Sequence, residues 1–340
     1  MRVAGRLSVA LNNGVGVGDD KLECKVEVTG DCHWLEQLSV HSGLSRSQLK
    51  RAMTAGAVWL EEAKAQGERS RPRRLRRSDS KVRSGALVSL YYDAALLEQQ
   101  PLTPVLIEDM RDFSVWDKPA GMRVSGSYWG DHLCLLRVVE KHLSGRATQL
   151  LHRLDSWTSG LILVAHNKKA ASELAALFAE RKVYKRYRAQ VAGDPALTLP
   201  HVIDSPVDGK QALSRIVSVV RPQQWLNPEP CRALPEEFSN AVSEFCIEIE
   251  TGRKHQIRSH LAALGLPVLG DRRFGFAQNA PEDDISGASL ARADKSDESM
   301  AVRVAATNLQ LRAVEIAFNY GDKAFRWCLD QQDEVLERDR

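Results

Sequence analysis

The sequence lacks a long hydrophobic run. No stretch of about 18 consecutive apolar residues occurs in the 340-residue chain, which excludes a conventional membrane-spanning helix. The first residues, MRVAGRLSVALNNG, contain no apolar segment of the kind found in secretory signals. We therefore expect a cytoplasmic protein with no membrane partner.

The common metal and dinucleotide motifs are also missing. The six cysteines are scattered without a C-x-x-C pair, which favours reduced structural thiols over zinc ligands or disulfides. No H-E-x-x-H motif occurs, and GVGVG at 14–18 has neither the spacing of a dinucleotide loop nor a following helix. We expect no metal site.

The composition is that of a globular chain with unevenly placed charge. Hydrophobic residues make up 43% and charged residues 27%, and the length predicts one larger and one smaller domain. The net charge is only +3, but six arginines fall within residues 69–77. Because placement matters more than the sum for contact with a polyanion, this segment indicates a nucleic-acid partner.

Two short helices are predicted after residue 32. An apolar stripe from Trp34 to Leu38 ends at Gly43, a helix terminator. A second helix begins at Ser45, a good N-cap with Gln48 as its capping-box partner. It leads into the strand-like AVWL.

The second helix and the arginine-rich loop together predict a cationic surface for RNA. The residues assigned to it are Arg46, Lys50, Arg51, Arg73, Arg74, Arg76 and Arg77. The first three share roughly one side of the helix. The alternative is a solvated helix face beside a floppy basic loop.

Residues 32–93 resemble the small RNA-binding module first seen in ribosomal protein S-four. The resemblance rests on the two helices, SRSQLKRAMTAGAVWL and the closing strand GALVSLYYD. The chain departs from that module where WLEEAKAQG replaces the usual V-x-[VI]-N-G turn. The resemblance implies RNA binding by this segment.

The remaining chain predicts a second, larger domain. We expect an N-terminal extension at 1–31, a linker at 94–104 containing two prolines, and a catalytic domain at 105–330 with a mobile polar insert at 277–300. Strands such as FSVWD and GLILVA alternate with helices such as KKAASELAALFAER. The order predicts an α+β fold with a mixed sheet.

The most informative segment is HRLDSWTSGLILVAHN at 152–167. Asp155 lies between a basic pair and a small polar turn, just before an apolar strand. Catalytic groups are often displayed on such loops. Taken alone, an aspartate in this setting is more often a turn residue or a helix cap.

HRLDxxTSG resembles the signature of the RluA class of pseudouridine synthases. Four further motifs follow this class in order: DKPAGM, KRYRAQVAG, TGRKHQIRSHL and LGLPVLGD. The resemblance implies a mostly antiparallel central sheet with Asp155 as the catalytic aspartate. It further implies that Tyr187 packs on the target uracil, Arg258 pairs with the catalytic carboxylate, and Arg153 enters the RNA stack.

The implied reaction moves the ribose from the ring nitrogen of uracil to carbon 5. Since substrate and product are isomers, we expect no cofactor. An ionised carboxylate can attack the anomeric carbon or take a proton from the neighbouring sugar carbon, and both routes stay open. Burial disfavours the ionised form of Asp155, whereas the guanidinium of Arg258 favours it.

Several basic residues near these motifs have open roles. For His152, His255 and His260 we favour structural or RNA-contacting roles over metal binding. Lys118 and Arg253 could contact phosphate or simply be surface charges.

Three functions are compatible with these residues. The leading hypothesis is uridine isomerisation in RNA by a monomer, with ribosomal RNA favoured and transfer RNA possible. The alternative is a non-catalytic RNA-binding or ribosome-assembly protein that keeps the fold. A nucleosidase or glycosidase is the third, but it needs a second carboxylate that the motifs do not offer.

Overall fold

The computed structural model describes residues 21–30, 33–192, 195–220, 242–275 and 309–329. Residues 1–20 and the expected mobile insert at 277–300 lie outside the described residues. The chain divides into two compact units. Unit 1 comprises the residues up to Gln100 together with Gly126–His132, and unit 2 comprises Pro101–Ser125 and the residues from Leu133 onward.

Unit 1 is a small α+β unit. Its elements are β1 (Lys21–Glu27), α1 (Trp34–Ser42), α2 (Arg46–Thr54), β2 (Val58–Glu61), β3 (Arg73–Arg74), β4 (Leu87–Asp93) and α3 (Ala94–Glu98). The strands form an antiparallel sheet in the order β1-β4-β2-β3. Leu38 of α1 and Leu49 of α2 pack with Val58 and Leu90 of the sheet in one buried cluster.

The two predicted helices of unit 1 are confirmed. Gly43 ends α1 in the left-handed conformation, with φ of 70°, which glycine adopts without steric cost. Ser45 caps α2, and its side chain and that of Gln48 form the reciprocal capping box.

Three segments of unit 1 differ from a simple reading of the sequence. Residues 21–27 of the expected N-terminal extension are strand β1, paired with β4. Residues 94–98 of the expected linker are helix α3. Part of the arginine-rich loop is strand β3, because Arg73 and Arg74 pair with Leu60 and Trp59 of β2.

Unit 2 is built on a ten-stranded sheet. Its strands are β5 (Val105–Asp109), β6 (Phe113–Lys118), β7 (Gln149–Leu150), β8 (Ser159–Ala165), β9 (Tyr184–Ala192), β10 (His201–Ile203), β11 (Ser214–Val220), β12 (Val242–Ile249), β13 (Leu311–Tyr320) and β14 (Lys323–Cys328). Its helices are α4 (Leu135–His142), α5 (Lys168–Ala179) and α6 (Gln256–Ala263).

The sheet is mixed and mostly antiparallel, which confirms the predicted α+β class. Its main path runs β10-β11-β12-β9-β13-β8-β6-β5, with β14 beside β13 and β7 beside β8. Among the described strand pairs of this sheet, β13 with β8 is parallel and the others are antiparallel. Within the described ranges, no helix has the length and hydrophobicity that crossing a membrane requires.

Buried clusters lie on the two faces of this sheet. Alternate residues of β8 belong to different clusters, with Ile162 and Val164 in one and Leu161 and Leu163 in the other. A strand covered on both faces reads as a continuous apolar run, as GLILVA does. The loop before β8 carries Asp155, so the strand anchors it.

Gly160 of β8 pairs with Ala313 of β13 and leaves no room for a Cβ atom. Its φ is +106°, and a Cβ built there would lie 2.1 Å from the carbonyl oxygen of Ala313. Such a distance requires the strands to separate. Only glycine is compatible with this pairing of β8 and β13.

We predict that Gly160→Ala lowers the free energy of unfolding by about 3 kcal/mol or more, since backbone strain adds to a clash with a neighbouring strand. Gly145→Ala is the matched control, because Gly145 also has positive φ, +89°, but open space around its Cβ position. The control should cost about 1–2 kcal/mol. Urea unfolding of both variants measures the difference, and equal losses would contradict the steric argument.

Candidate active site

Asp155 lies in the loop between β7 and β8 of unit 2. Its side chain is 24% exposed, so it is partly buried yet open to a ligand. Two backbone hydrogen bonds hold the loop. Thr158 donates its backbone N–H to the carbonyl of Asp155, and Gly121 donates to the carbonyl of Ser156.

Arg258 and Asp155 contact each other. Arg258 lies on α6, and its Nη1 is 3.5 Å from Oδ2 of Asp155. The arginine side chain is only 6% exposed. A buried guanidinium needs carboxylate partners, and Asp155 is the weaker of two.

The stronger partner of Arg258 is Asp271, which sequence reasoning missed. Nε of Arg258 donates to Oδ2 of Asp271 at 2.7 Å, and Nη2 donates to Oδ1 at 2.8 Å. The carboxylate of Asp271 is fully buried. The motif LGLPVLGD contains this residue, but nothing in the local pattern separates it from an ordinary turn aspartate.

His255 is a second neighbour of Asp155. It precedes α6 with a left-handed backbone, φ of 57°, a conformation that is uncommon for residues with a Cβ. Its Nε2 lies 3.8 Å from Oδ1 of Asp155. A structural or RNA-contacting role was expected for His255, and the structure places it at the candidate catalytic carboxylate.

Tyr187 is the third predicted site residue, and it lies on β9 within the main core cluster. The residue is 7% exposed. Burial raises the pKa of the Tyr187 phenol, and the negative charge of Asp155 raises this pKa further. The phenol therefore stays protonated at neutral pH and can donate a hydrogen bond.

Lys118 is buried, so neither of the two roles left open for it, a phosphate contact or a surface charge, is correct. Its residue exposure is 0%, and Nζ donates to the carbonyls of Pro119 at 3.1 Å, Met122 at 2.8 Å and Ser156 at 2.9 Å. Three acceptors match the three N–H bonds of an ammonium group. Lys118 ties the DKPAGM segment to the loop of Asp155.

The pKa of Lys118 reflects two opposing causes. Burial lowers the pKa to about 7, and the negative charges of Asp155 and Asp117 act against that shift. Lys118 therefore belongs to the electrostatic surroundings of Asp155 although it cannot reach solvent.

His152 is a structural histidine. Its Nε2 accepts a hydrogen bond from the backbone N–H of Leu163 at 3.1 Å, and its ring stacks on Phe178 of α5 with centroids 4.6 Å apart. Burial lowers the pKa of His152 to about 3, with a smaller effect from the charge of Lys185. The imidazole is neutral and fastens the HRLD segment to β8.

Two of the remaining basic residues near the motifs form hydrogen bonds with other parts of the protein. His260 contacts the hydroxyl of Ser214 and the carbonyl of Ser205, each at 2.9 Å. Arg253 donates to the carbonyl of Gln211. Arg153 is exposed. In the described part of the chain, no cluster of three or more His, Cys, Asp or Glu residues could hold a metal ion.

The basic residues of unit 1 fall into two groups. Arg74 and Arg76 both form ion pairs with Asp131, and Arg73 pairs with Glu62. Arg74 also donates to the carbonyls of Gly56 and Ser127 and lies 4.2 Å from the ring centroid of Trp59. These contacts hold the 126–132 segment within unit 1.

The other unit 1 residues of the predicted cationic surface are exposed. Arg46 is exposed and pairs with Glu36. Lys50, Arg51 and Arg77 are exposed, and within the described ranges none of the three forms an ion pair. The structure therefore separates arginines that stabilise unit 1 from cations that are available to a ligand.

Comparison with known proteins identifies a family. Residues 112–263 match the family model described as RNA pseudouridylate synthase. An uncharacterized RNA pseudouridine synthase of Aquifex aeolicus is 29% identical, covering 78% of this chain and 84% of that protein. Ribosomal large subunit pseudouridine synthase D of Xanthomonas campestris is 32% identical, covering 70% of this chain and 69% of that protein.

A solved structure is also similar. Human RNA Pseudouridylate Synthase Domain Containing 1 covers 71% of this chain and 97% of its own length, with 21% identity and a TM-score of 0.49.

We predict that His152→Asn weakens the pH dependence of stability. In the unfolded chain the imidazole takes up a proton near pH 6.5, whereas in the folded chain its pKa is about 3. Between these values the unfolded state binds more protons, so His152 lowers the unfolding free energy as pH falls below 6.5, by up to about 1.4 kcal/mol per unit. Urea unfolding between pH 4.5 and 7 measures the slope, and an unchanged slope in the variant would contradict the neutral assignment.

Proposed function

The chain belongs to the RNA pseudouridine synthase family, whose members are isomerases that act on RNA, and we propose that Asp155 is its catalytic carboxylate. The observation that carries this assignment is the position of Asp155. It is a partly exposed carboxylate, 3.5 Å from the buried guanidinium of Arg258 and close enough to Tyr187 to raise the pKa of that phenol.

The reaction needs an ionised carboxylate at the sugar. In one route an oxygen of Asp155 attacks C1′ and the uracil leaves with the electron pair on N1. The ring then turns, C5 displaces the carboxylate from C1′, the C5 proton passes to solvent and N1 takes up a proton. In the other route Asp155 removes a C2′ proton as the uracil leaves, which gives a glycal; C5 then adds to C1′, C2′ regains its proton, and the C5 proton is exchanged for one on N1. Both routes give an isomer, so their atoms balance without a further reactant.

Arg258 and Tyr187 support this chemistry from different sides. The guanidinium favours the ionised carboxylate and stays protonated at any relevant pH. The phenol can donate a hydrogen bond, or the ring face can pack against the uracil, and base–aromatic stacking contributes on the order of 1–3 kcal/mol. A uracil in folded RNA must leave its stack to reach these groups.

A hydrolase that uses two carboxylates fits the site less well. Net glycoside hydrolysis by an inverting or retaining route needs a protonated carboxyl as general acid. Asp271 contacts the same guanidinium as Asp155, but it is fully buried and receives two hydrogen bonds from Arg258. Because solvent does not reach Asp271 and Arg258 occupies both of its oxygens, this carboxyl is not placed to protonate a leaving group.

Unit 1 is proposed to bind RNA as an S-four-like module. Its support is the order of two capped helices and a closing strand, together with the exposed Lys50, Arg51 and Arg77. Arg153 is proposed to contact the RNA beside the target nucleotide. Ribosomal RNA is the proposed substrate, because the relative from Xanthomonas campestris is named for the large ribosomal subunit.

We predict that Asp155→Asn lowers the rate of pseudouridine formation by at least about 10⁴-fold and that the variant still binds RNA. The amide has the shape of the carboxylate but no charge and little nucleophilicity. Single-turnover assays on ribosomal RNA, with binding measured separately, test this. The control Asp322→Asn changes an exposed aspartate in the turn between β13 and β14 and should react at the wild-type rate. Pseudouridine formed by Asp155→Asn would overturn the assignment.

We predict that replacing Lys50, Arg51 and Arg77 by alanine weakens RNA binding. The slope of log affinity against log salt should fall by roughly 1 for each phosphate that the variant no longer neutralises. A variant lacking the exposed Lys168, Lys169 and Arg181 of unit 2 carries the same net charge and should bind RNA more tightly than the unit 1 variant. Equal slopes in the two variants would show that total charge, rather than the unit 1 surface, determines binding.

A further inference from the structure

Arg258 is shared unequally between two carboxylates. Asp271 receives Nε and Nη2 at 2.7 and 2.8 Å, whereas Asp155 receives only Nη1, at 3.5 Å. The planar fork of arginine can bind a carboxylate through two parallel donors. Because Asp271 occupies one such pair, the guanidinium cannot bind Asp155 in the same two-donor geometry without leaving Asp271.

Asp271 is itself fixed by the turn that follows it. Its Oδ1 also accepts the backbone N–H groups of Arg273 at 2.9 Å and Phe274 at 3.0 Å. The backbone N–H of Gly275 donates to the carbonyl of Asp271, and a Cβ at Gly275 would lie 2.1 Å from that oxygen. The carboxylate is therefore held in place by four hydrogen-bond donors.

The same turn reaches both neighbours of Asp155. The ring of Phe274 lies 5.3 Å from the guanidinium carbon of Arg258 and 5.9 Å from the ring of His255. The turn thus touches the two side chains, on α6 and at its N-terminus, that contact Asp155.

We propose that Asp271 is a positioning residue for the isomerisation, which acts by holding Arg258 so that a single N–H of the guanidinium faces Asp155. This inference rests on the proposed catalytic role of Asp155. Asp271 engages two donors of the guanidinium, so Asp155 is not bound by two strong hydrogen bonds. Oδ1 of Asp155, which lies 3.8 Å from Nε2 of His255, is then the oxygen placed to meet the sugar.

The test is the pH dependence of the single-turnover rate in Asp271→Asn. The amide keeps an oxygen for Arg273 and Phe274, but it removes the charge and one acceptor for Arg258. The guanidinium is then free to bind Asp155 more fully. We expect a rate loss of about 10²-fold and an RNA affinity within about twofold of wild type. The acid limb, which is the fall in rate on the acid side of the pH profile, should move to lower pH.

The acid limb reports loss of the ionised form of Asp155, and several groups influence it. Arg258 and His255 face Asp155 from α6 and its N-terminus, Lys118 from the end of β6, and Tyr187 from β9. All four remain in the variant, so a displaced limb relative to wild type reports the missing charge of Asp271. A purely structural role would not move it, and an unmoved limb would overturn the proposal.

Two further variants cover the case in which Asp271→Asn is too unstable to assay. Asp271→Glu keeps the charge, but its side chain is longer by one methylene group and shifts the guanidinium of Arg258. The variant should therefore react more slowly without a change in the acid limb. A wild-type rate for Asp271→Glu would overturn the positioning role. Gly275→Ala disturbs the turn and keeps both charges, and it should lower stability and leave the acid limb in place.

Asp155→Asn assayed in parallel separates two kinds of failure. If Asp155→Asn forms pseudouridine, the catalytic assignment itself is wrong. If Asp155→Asn is inactive while Asp271→Asn keeps the wild-type rate and pH profile, only the positioning role of Asp271 is wrong.

Discussion

The buried guanidinium of Arg258 is the constraint on which the candidate site depends. An arginine that is 6% exposed must find negative partners inside the protein, because an unpaired buried charge costs several kcal/mol. Two carboxylates, Asp155 and Asp271, meet this one cation. A single positive charge cannot balance both equally, and the geometry assigns the closer contacts to Asp271, which solvent does not reach. The partly exposed Asp155 has the looser contact.

This division suits a carboxylate that must react. A group bound through two short hydrogen bonds would be stabilised in its ground state and would have to break those bonds at the transition state. Asp155 keeps a longer contact with Arg258 and a partly exposed surface at the same time. Lys118 fixes the loop on which Asp155 lies through three hydrogen bonds to backbone carbonyls.

Local features of the fold could be predicted from the sequence because adjacent residues determine them. The capping box of Ser45 and Gln48, the helix in KKAASELAALFAER and the apolar run of β8 each depend on side chains within a few positions. The contact of Asp155 with Arg258 could be predicted only through the resemblance to a family. The two residues are 103 positions apart, and no local pattern joins them.

Burial accounts for what the sequence did not predict. Lys118 looks like a surface cation in the sequence DKPAGM, but its side chain is buried and donates hydrogen bonds to backbone carbonyls. Asp271 and Asp131 look like ordinary turn residues, and their roles follow from arginines distant in sequence or on another element. The environment of a charged residue depends on tertiary contacts that neither its type nor its neighbours encode.

Some cations of the chain form bonds within the protein, whereas others are exposed. Arg258, Lys118 and Arg74 are buried or half-buried, and each satisfies carboxylates or carbonyls of the protein itself. A cation engaged in this way cannot neutralise a phosphate without breaking internal bonds. On the proposed function, exposed residues such as Lys50 and Arg51 are the ones that can contact phosphate without that cost.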